Sequence, residues 1–181
     1  MKNICINLFT FFFIWNLSAQ SLITVEGAAG TFFYTSVPDA IEGANDGDVV
    51  YLPGGSFSLG AAVGGLNIYK QIQIIGAGYN VDSSQATQIT TLDGSIYFAD
   101  GSSGSSLMGV NVTGDITLGY SGFYVLSNVS EILLSRCKLS ILILGYEGST
   151  IENILVSECI FTSTDVNLIS SPGALNILVS K

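Results

Sequence analysis

Apolar residues recur at a nearly fixed spacing in the second half of the chain. Four segments align with offsets of 22, 22 and 23 residues: GVNVTG (109–114), EILLSR (131–136), NILVSE (153–158) and NILVSK (176–181). The alignment predicts five columns of like residues: Val110, Ile132, Ile154 and Ile177; Val112, Leu134, Val156 and Val179; Thr113, Ser135, Ser157 and Ser180; Cys137 and Cys159; Leu139 and Phe161. Within each segment the apolar residues lie two apart, which is the period of a β-strand with one buried face.

The length of the repeat limits the repeat architectures that the chain can adopt. A unit of about 22 residues buries its apolar side only by stacking on the next unit. Helical repeats need long segments of helical period, and leucine-rich repeats need a leucine-and-asparagine signature; the sequence has neither. The pattern therefore predicts an all-β, parallel solenoid with about 22 residues per rung.

Residues 36–45 predict a short helix that caps the first rung. Ser36 and Asp39 have the spacing of a capping box, and Pro38 is tolerated in a first helical turn. One face of this helix is apolar: Val37, Ala40, Ile41 and Ala44. Because a solenoid exposes an apolar end and unpaired strand edges, we expect this helix to cover both.

Two carboxylates flank a glycine at Asp46-Gly47-Asp48, as in part of a calcium loop. The twelve-residue series of ligands that ends in a bidentate glutamate is absent, which excludes an EF-hand. A turn after a helix favours the same residue types. We expect a structural corner before a strand at Val49–Leu52, with a turn at Pro53-Gly54-Gly55.

The stretch from Ser36 to Gly78 resembles the opening of the pectin-lyase-like right-handed parallel β-helix superfamily: SVPDAIEGANDGDVVYLPGGSFSLGAAVGGLNIYKQIQIIGAG. Its order is a short amphipathic helix, a Gly-Asp strand ending in Pro-Gly, a second strand and a Gly-x-Gly. Downstream segments resemble the rungs of that superfamily: LMGVNVTG, SEILLSRCKLS and IENILVSECIFT. The resemblance covers nearly all of the chain after residue 19 and implies a right-handed parallel β-helix. It implies no single activity, since the superfamily includes lyases, hydrolases and adhesins.

The chain divides into a leader and one domain. Residues 1–19 have the order of a secretory signal peptide, with Lys2, an apolar run and a small-residue cleavage pattern before Gln20. Residues 20–181 are assigned to the β-helix domain, with its N-terminal cap at 36–45. The last residues, LNILVSK, read as the start of another rung without a cap. We therefore expect an incomplete C-terminus on which further rungs would pack.

The charge balance of the chain limits the classes of partner that it is expected to bind. After removal of the leader, four basic residues face fourteen acidic ones, and the chain has no histidine. Nucleic acid and anionic membrane surfaces both attract basic patches, so neither is an expected partner. We expect a secreted, extracellular or cell-surface protein that does not insert into a membrane once the leader is removed.

Several polar residues invite catalytic or ligand-binding interpretations. Gly76-Ala77-Gly78 after a strand resembles the start of a dinucleotide-binding loop. That loop needs a third glycine at position 81 and a helix after it, whereas position 81 is valine and the following residues are polar and typical of turns. The two glycines therefore favour a tight corner between strands. Arg136 and Glu158 share a position on successive rungs, and we interpret them as a surface charge pair, with Gly114 as the other neighbour of Arg136. Glycoside hydrolysis needs two carboxyl groups at a defined separation. The sequence offers no Asp-Asp pair, so we interpret Asp93, Asp100 and Asp115 as turn residues.

The cysteine and leucine columns give two further expectations. Cys137 and Cys159 lie one strand spacing apart but point the same way, which favours two stacked thiols over a disulfide. Leu133, Leu155 and Leu178 follow Asn111 at an outward position. We expect this leucine stripe to be covered by loops or to form a contact surface.

No residue within 20–181 is assigned as catalytic, cofactor-binding or metal-binding. We expect a β-helix repeat protein with an adhesive, structural or glycan-binding role, whose partner is an extracellular polysaccharide or a cell-surface glycan. The alternative is the N-terminal part of a polysaccharide lyase or glycoside hydrolase that acts on pectin-like or other acidic polysaccharides. Whether the chain is an enzyme stays open, and Ca²⁺ is an expected cofactor only for the lyase.

Overall fold

The computed structural model describes residues 22–60, 65–80, 88–121, 125–145, 148–163, 166–168 and 177–180. The predicted signal peptide, residues 1–19, lies outside these ranges. Within them, no helix has the length and apolar character needed to cross a membrane.

The described residues form one short helix and a series of short strands. In chain order they are β1 (Ile23–Gly27), β2 (Gly30–Tyr34), α1 (Val37–Gly43), β3 (Val49–Leu52), β4 (Gly55–Ser58), β5 (Leu66–Ile68), β6 (Gln73–Gly76), β7 (Thr90–Asp93), β8 (Ile96–Phe98), β9 (Ser106–Met108), β10 (Asn111–Val112), β11 (Asp115–Leu118), β12 (Val129–Ser130), β13 (Leu133–Ser135), β14 (Lys138–Leu139), β15 (Ile141–Leu144), β16 (Ile151–Glu152), β17 (Ile154–Ser157), β18 (Ile160–Phe161), β19 (Val166–Leu168) and β20 (Ile177–Ser180).

The chain visits three large sheets in a fixed order, and a fourth sheet contains only β12 and β16. Sheet A contains, side by side, β2, β1, β3, β6, β9, β13, β17 and β20. Sheet B contains β4, β7, β10, β14 and β18, and sheet C contains β5, β8, β11, β15 and β19. From β3 onward the chain therefore passes from sheet A to B to C and back to A, and we call one such passage a circuit. Strands of successive circuits pair in parallel, so the molecule is mostly β with parallel sheets, as the sequence predicts.

Stacked apolar side chains fill the inward face of sheet A. Residues paired across successive strands point to the same side of the sheet, because side chains alternate along each strand. One inward column runs through five circuits, and each member is at most 1% exposed: Val50, Ile74, Leu107, Leu134 and Val156. Each circuit thus buries its apolar side against its neighbours, as the repeat length requires.

The register of the last circuits confirms the predicted columns. Leu134 pairs with Val156, and Ser135 pairs with Ser157. In sheet B, Leu139 pairs with Phe161. The backbone of β20 continues this register on β17.

The structure gives the first aligned segment, 109–114, a different register from the predicted one. Leu134 pairs with Leu107, not with Val112, which instead pairs with Leu92 in sheet B. Val110 and Thr113 are displaced with Val112 from their predicted columns. The cause is a longer connection between β11 and β12, which separates Leu107 from Leu134 by 27 residues rather than 22.

The helix α1 forms as predicted. The side chain of Ser36 accepts a hydrogen bond from the Asp39 N–H at 3.2 Å, and Ser36 itself is extended at φ −130°. The apolar face is buried: Val37, Ala40, Ile41 and Ala44. The helix ends at Gly43, and Gly47 supplies a left-handed residue (φ 87°) in the turn beyond it.

A hairpin, not the helix, covers the first strand of sheet A. β1 pairs antiparallel with β3, and β2 pairs antiparallel with β1 on the outside. The expectation that the capping helix hides this strand edge is therefore wrong. The hairpin satisfies the backbone groups of β3 directly, which a helix cannot do because its own N–H and C=O groups are already paired.

Candidate functional site

Left-handed residues follow the strands of sheet A and shape one side of the molecule. Gly109, Arg136 and Glu158 come directly after β9, β13 and β17, with φ values of 67°, 50° and 53°. They are stacked, since the Gly109 N–H donates to Ser135 O and the Arg136 N–H donates to Ser157 O. The backbone therefore turns the same way in three successive circuits.

The Gly-x-Gly segment packs against the start of this turn. The Gly78 N–H donates to Gly109 O at 2.8 Å, and the Ala77 N–H donates to the Thr90 hydroxyl at 2.8 Å. A Cβ at Gly76 would lie 2.5 Å from Gly109 O, so only glycine fits there. Gly78 is left-handed at φ 122°, and the next described element is strand β7. The prediction of a tight corner is confirmed.

A cleft of about 320 Å³ opens between the Gly-x-Gly segment and the stacked turns. It is lined by Ile75, Gly76, Ala77, Gly78, Tyr79, Asn80, Met108, Gly109, Arg136 and Glu158. The lining combines one cation, one carboxylate, one amide and a phenol with apolar side chains. Such a mixture suits a ligand that has both apolar faces and hydroxyl groups.

Arg136 and Glu158 occupy equivalent positions in successive circuits, as predicted, but their charged groups form no ion pair. Both side chains are exposed and line the cleft. Among the described residues, no nitrogen of Arg136 lies within 4.0 Å of a Glu158 oxygen. The other neighbour of Arg136 is Gly109, not Gly114, because of the register shift. Both charged groups are therefore available to a ligand.

An outward column of sheet A leads into the cleft. We define the outer column by its register partners: Phe33, Thr24, Tyr51, Ile75, Met108, Ser135 and Ser157. Phe33 is 63% exposed and Tyr51 is 41% exposed, whereas Ile75 and Met108 lie in the cleft wall. Farther along the outer column, the Ser157 hydroxyl donates a hydrogen bond to the Ser135 hydroxyl at 3.0 Å.

The carboxylates of Asp46 and Asp48 stabilise a turn, as predicted. Asp46 accepts the Gln71 N–H at 2.9 Å, and Asp48 accepts the Asn45 N–H at 2.8 Å. Asp48 is buried, and its carboxylate fills the space that a side chain on Gly27 would occupy. Asp48 thus bonds within the corner before β3, and Asp46 joins that corner to the backbone just before β6.

Two of the three remaining aspartates likewise bond to neighbouring circuits. Asp93 accepts the Thr113 hydroxyl at 2.8 Å, and Asp100 accepts the Asn128 N–H at 2.6 Å. Asp115 is the first residue of β11 and pairs with Ile141, so its interpretation as a turn residue is wrong. No group of three or more histidine, cysteine or acidic side chains suited to a metal ion occurs in the described part of the chain.

The structure holds Cys137 and Cys159 as free thiols, as expected in preference to a disulfide. Cys137 is buried and Cys159 is half-buried. The neighbouring Cys137 thiol lowers the pKa of Cys159 to about 7. The same contact, followed by burial, raises the pKa of Cys137. Cys159 is therefore the sulfur that ionises first.

The leucine stripe is partly exposed. Leu133 and Leu155 are register partners with no polar residue between them, and Leu155 is 37% exposed. Leu178 continues the column in its backbone register. Asn111 does not belong to it, since Ser106 is the partner of Leu133.

The sequence interpretation missed the apolar and aromatic part of the cleft, namely Ile75, Tyr79 and Met108. A signal for it exists. SLMG (106–109) matches LLSR (133–136) and LVSE (155–158) when the segments are aligned on the residue that follows each strand. That alignment places Met108 beside Ser135 and Gly109 beside Arg136.

Comparison with known proteins adds no relative: no protein-family model, curated protein or solved structure matches this chain.

Proposed function

We propose that this chain is a secreted, right-handed parallel β-helix of the pectin-lyase-like kind, which binds an extracellular polysaccharide without cleaving it. Two observations support the architecture. The chain runs through sheets A, B and C in the same order in successive circuits. The opening from Ser36 to Gly78 resembles that of the superfamily.

The outer column and the cleft carry the binding proposal. Sugar rings have apolar faces that stack on aromatic side chains, and Tyr51 offers an exposed ring with a polar tip. Their hydroxyl groups need donors and acceptors, which Arg136 and Glu158 present in the cleft. A linear glycan lying across the strands of sheet A would contact both features.

The charge balance favours a neutral polysaccharide over a polyuronate. Arg136 is suited to a bidentate contact with a carboxylate. Glu158 stands beside it in the same cleft, however, and the chain has a net charge of −9. A polyanion would therefore meet overall repulsion, which a neutral glycan avoids.

The carboxylates of the cleft argue against hydrolysis there. Canonical glycosidases place two carboxyl groups roughly 5 to 9.5 Å apart across the scissile bond. The described lining of this cleft contains one carboxylate, that of Glu158. Arg136 gives the lyase alternative its only specific support, as an exposed cation in a cleft.

Affinity electrophoresis through gels that contain neutral or acidic polysaccharides tests the binding role. We expect retardation by a neutral glycan, and Tyr51→Ala should weaken it about tenfold, a loss of about 1.4 kcal/mol. Tyr69→Ala is the matched control, since Tyr69 is similarly exposed at 48% but lies outside the outer column. Equal effects of the two substitutions, or no retardation by any glycan, would contradict the proposal.

An activity assay tests the lyase and hydrolase alternatives. The protein is incubated with polyuronates with and without Ca²⁺, and the unsaturated product and new reducing ends are measured. We expect neither product. Either product in excess over the Arg136→Ala variant would make the chain an enzyme and overturn the non-catalytic assignment.

A further inference from the structure

Cys137 and Cys159 occupy equivalent positions in successive circuits. Lys138 pairs with Ile160 in parallel register. The preceding residues, Cys137 and Cys159, are therefore neighbours on adjacent strands. Both cysteines lie on the core side of their strands, whereas Lys138 and Ile160 face outward. Neither thiol belongs to the cleft or to the outer column.

The two side chains also have the same orientation. Each sulfur lies close to the carbonyl oxygen two residues earlier and to one carbonyl oxygen in the preceding circuit. The carbonyl groups that contact Cys159 are the register partners, one circuit later, of those that contact Cys137. The distances are 3.2 Å from Cys137 Sγ to Ser135 O and 3.4 Å to Leu107 O; 3.3 Å from Cys159 Sγ to Ser157 O and 3.5 Å to Leu134 O. One side chain is thus the other translated along the stack.

Translation by one strand has a geometric consequence. Neighbouring strands lie about 4.8 Å apart, so two translated sulfurs have parallel Cβ–Sγ bonds at about that separation. A disulfide needs sulfurs about 2.05 Å apart and a Cβ–S–S–Cβ dihedral near 90°. A zinc–thiolate bond is about 2.3 Å long, and two metal–thiolate bonds of roughly that length in a straight line span about 4.6 Å. The pair therefore fits an ion between the sulfurs far better than a direct bond.

We propose that Cys137 and Cys159 form a two-coordinate site for a soft univalent metal ion of the Cu(I) or Ag(I) type. Soft thiolate ligands favour such ions, and linear coordination requires only two of them. Structural zinc sites require four ligands, and the described residues place no third histidine, cysteine or acidic side chain in a group with these two. The ion enters through half-buried Cys159, and both thiols release their protons to solvent on binding.

Competition with a chromogenic Cu(I) chelator under anaerobic conditions tests the site. All proteins carry Cys5→Ser, so that the pair supplies the remaining cysteines. We expect one Cu(I) per chain, and an X-ray absorption spectrum with two sulfur neighbours and no nitrogen or oxygen neighbour. Cys159→Ser should weaken binding by more than about 100-fold, the upper end of the effect of losing a mere supporting contact.

A matched variant separates stacking from cysteine number. Cys159→Ser combined with Ile160→Cys keeps two cysteines but moves one to the opposite face, at a position that is 50% exposed. We expect this variant to lose tight binding while its circular dichroism spectrum stays that of the parent. Binding as tight as in the parent would overturn the proposal. So would a parent protein whose two sulfurs are found as a disulfide by mass spectrometry, or one that binds no Cu(I).

Discussion

Four residues other than glycine adopt the left-handed conformation in the described part of the chain: Glu131 (φ 59°), Arg136 (φ 50°), Asn153 (φ 54°) and Glu158 (φ 53°). They flank the strands of sheet A, one pair before β13 and β17 and the other pair after them. A left-handed residue with a side chain costs roughly 1–2 kcal/mol, and asparagine is one of the few that tolerates it well. The turns of sheet A are therefore maintained against a local backbone preference.

Replacing Glu131 with glycine should stabilise the protein. Relief of the left-handed strain exceeds the entropic cost of glycine, so the free energy of unfolding should rise by about 0.5–1 kcal/mol, measured by urea denaturation. Glu152→Gly is the control, because Glu152 is exposed but lies within strand β16, where glycine should lower stability by a similar amount. A loss of stability in both variants would show that the left-handed residue carries little strain.

At the scale of elements, the C-terminus of α1 depends on a lysine in the connection between β5 and β6. The Lys70 ammonium donates hydrogen bonds to three carbonyl oxygens at the end of the helix, those of Ile41 (3.1 Å), Glu42 (2.5 Å) and Ala44 (2.6 Å). These carbonyls lack partners within the helix, and a cation there also interacts favourably with the helix dipole. The helix has only seven residues, so this contact fixes it to the first circuit.

Lys70→Met should therefore lower the free energy of unfolding by about 1–2 kcal/mol, since it removes charge-assisted bonds but keeps the apolar stem. Lys138→Met is the matched control. Lys138 is exposed, and its substitution should change stability by less than about 0.5 kcal/mol. Chemical denaturation of both variants gives the comparison, and equal effects would remove the capping role of Lys70.

At the scale of the whole molecule, stability depends on continuous inward columns rather than on any single circuit. Leu134 is fully buried between Leu107 and Val156, whereas Leu155, which precedes Val156 in β17, faces outward and is 37% exposed. Removing a side chain from a column leaves a cavity that neighbouring circuits cannot fill by local adjustment.

Leu134→Ala should lower the free energy of unfolding by about 2–5 kcal/mol. Leu155→Ala deletes the same atoms from the outward face and should cost less than about 1 kcal/mol. Both values come from denaturant unfolding of the full chain. Similar losses in the two variants would mean that the leucine stripe is covered and that sheet A has no free outward face.

The features predicted correctly from the sequence are those with local or strictly periodic causes. The helix follows from Ser36 and its apolar face, and the last columns follow from an unchanged spacing of 22 residues. Leu107 was missed because the longer connection after β11 breaks that period. The Lys70 contacts and the cleft join residues more than 20 positions apart, which no local pattern records.

The hairpin β1–β2 has a consequence for the order of folding. Gly27 stands opposite Gly30, so this pairing closes across a very short loop, whereas strands of sheet A in later circuits pair residues 22 to 33 positions apart. A hairpin can form within about 10 μs, but each later strand needs the preceding one as a template. Because the N-terminal part of a chain is synthesised first, we expect structure to grow in one direction, with each circuit added as its residues emerge.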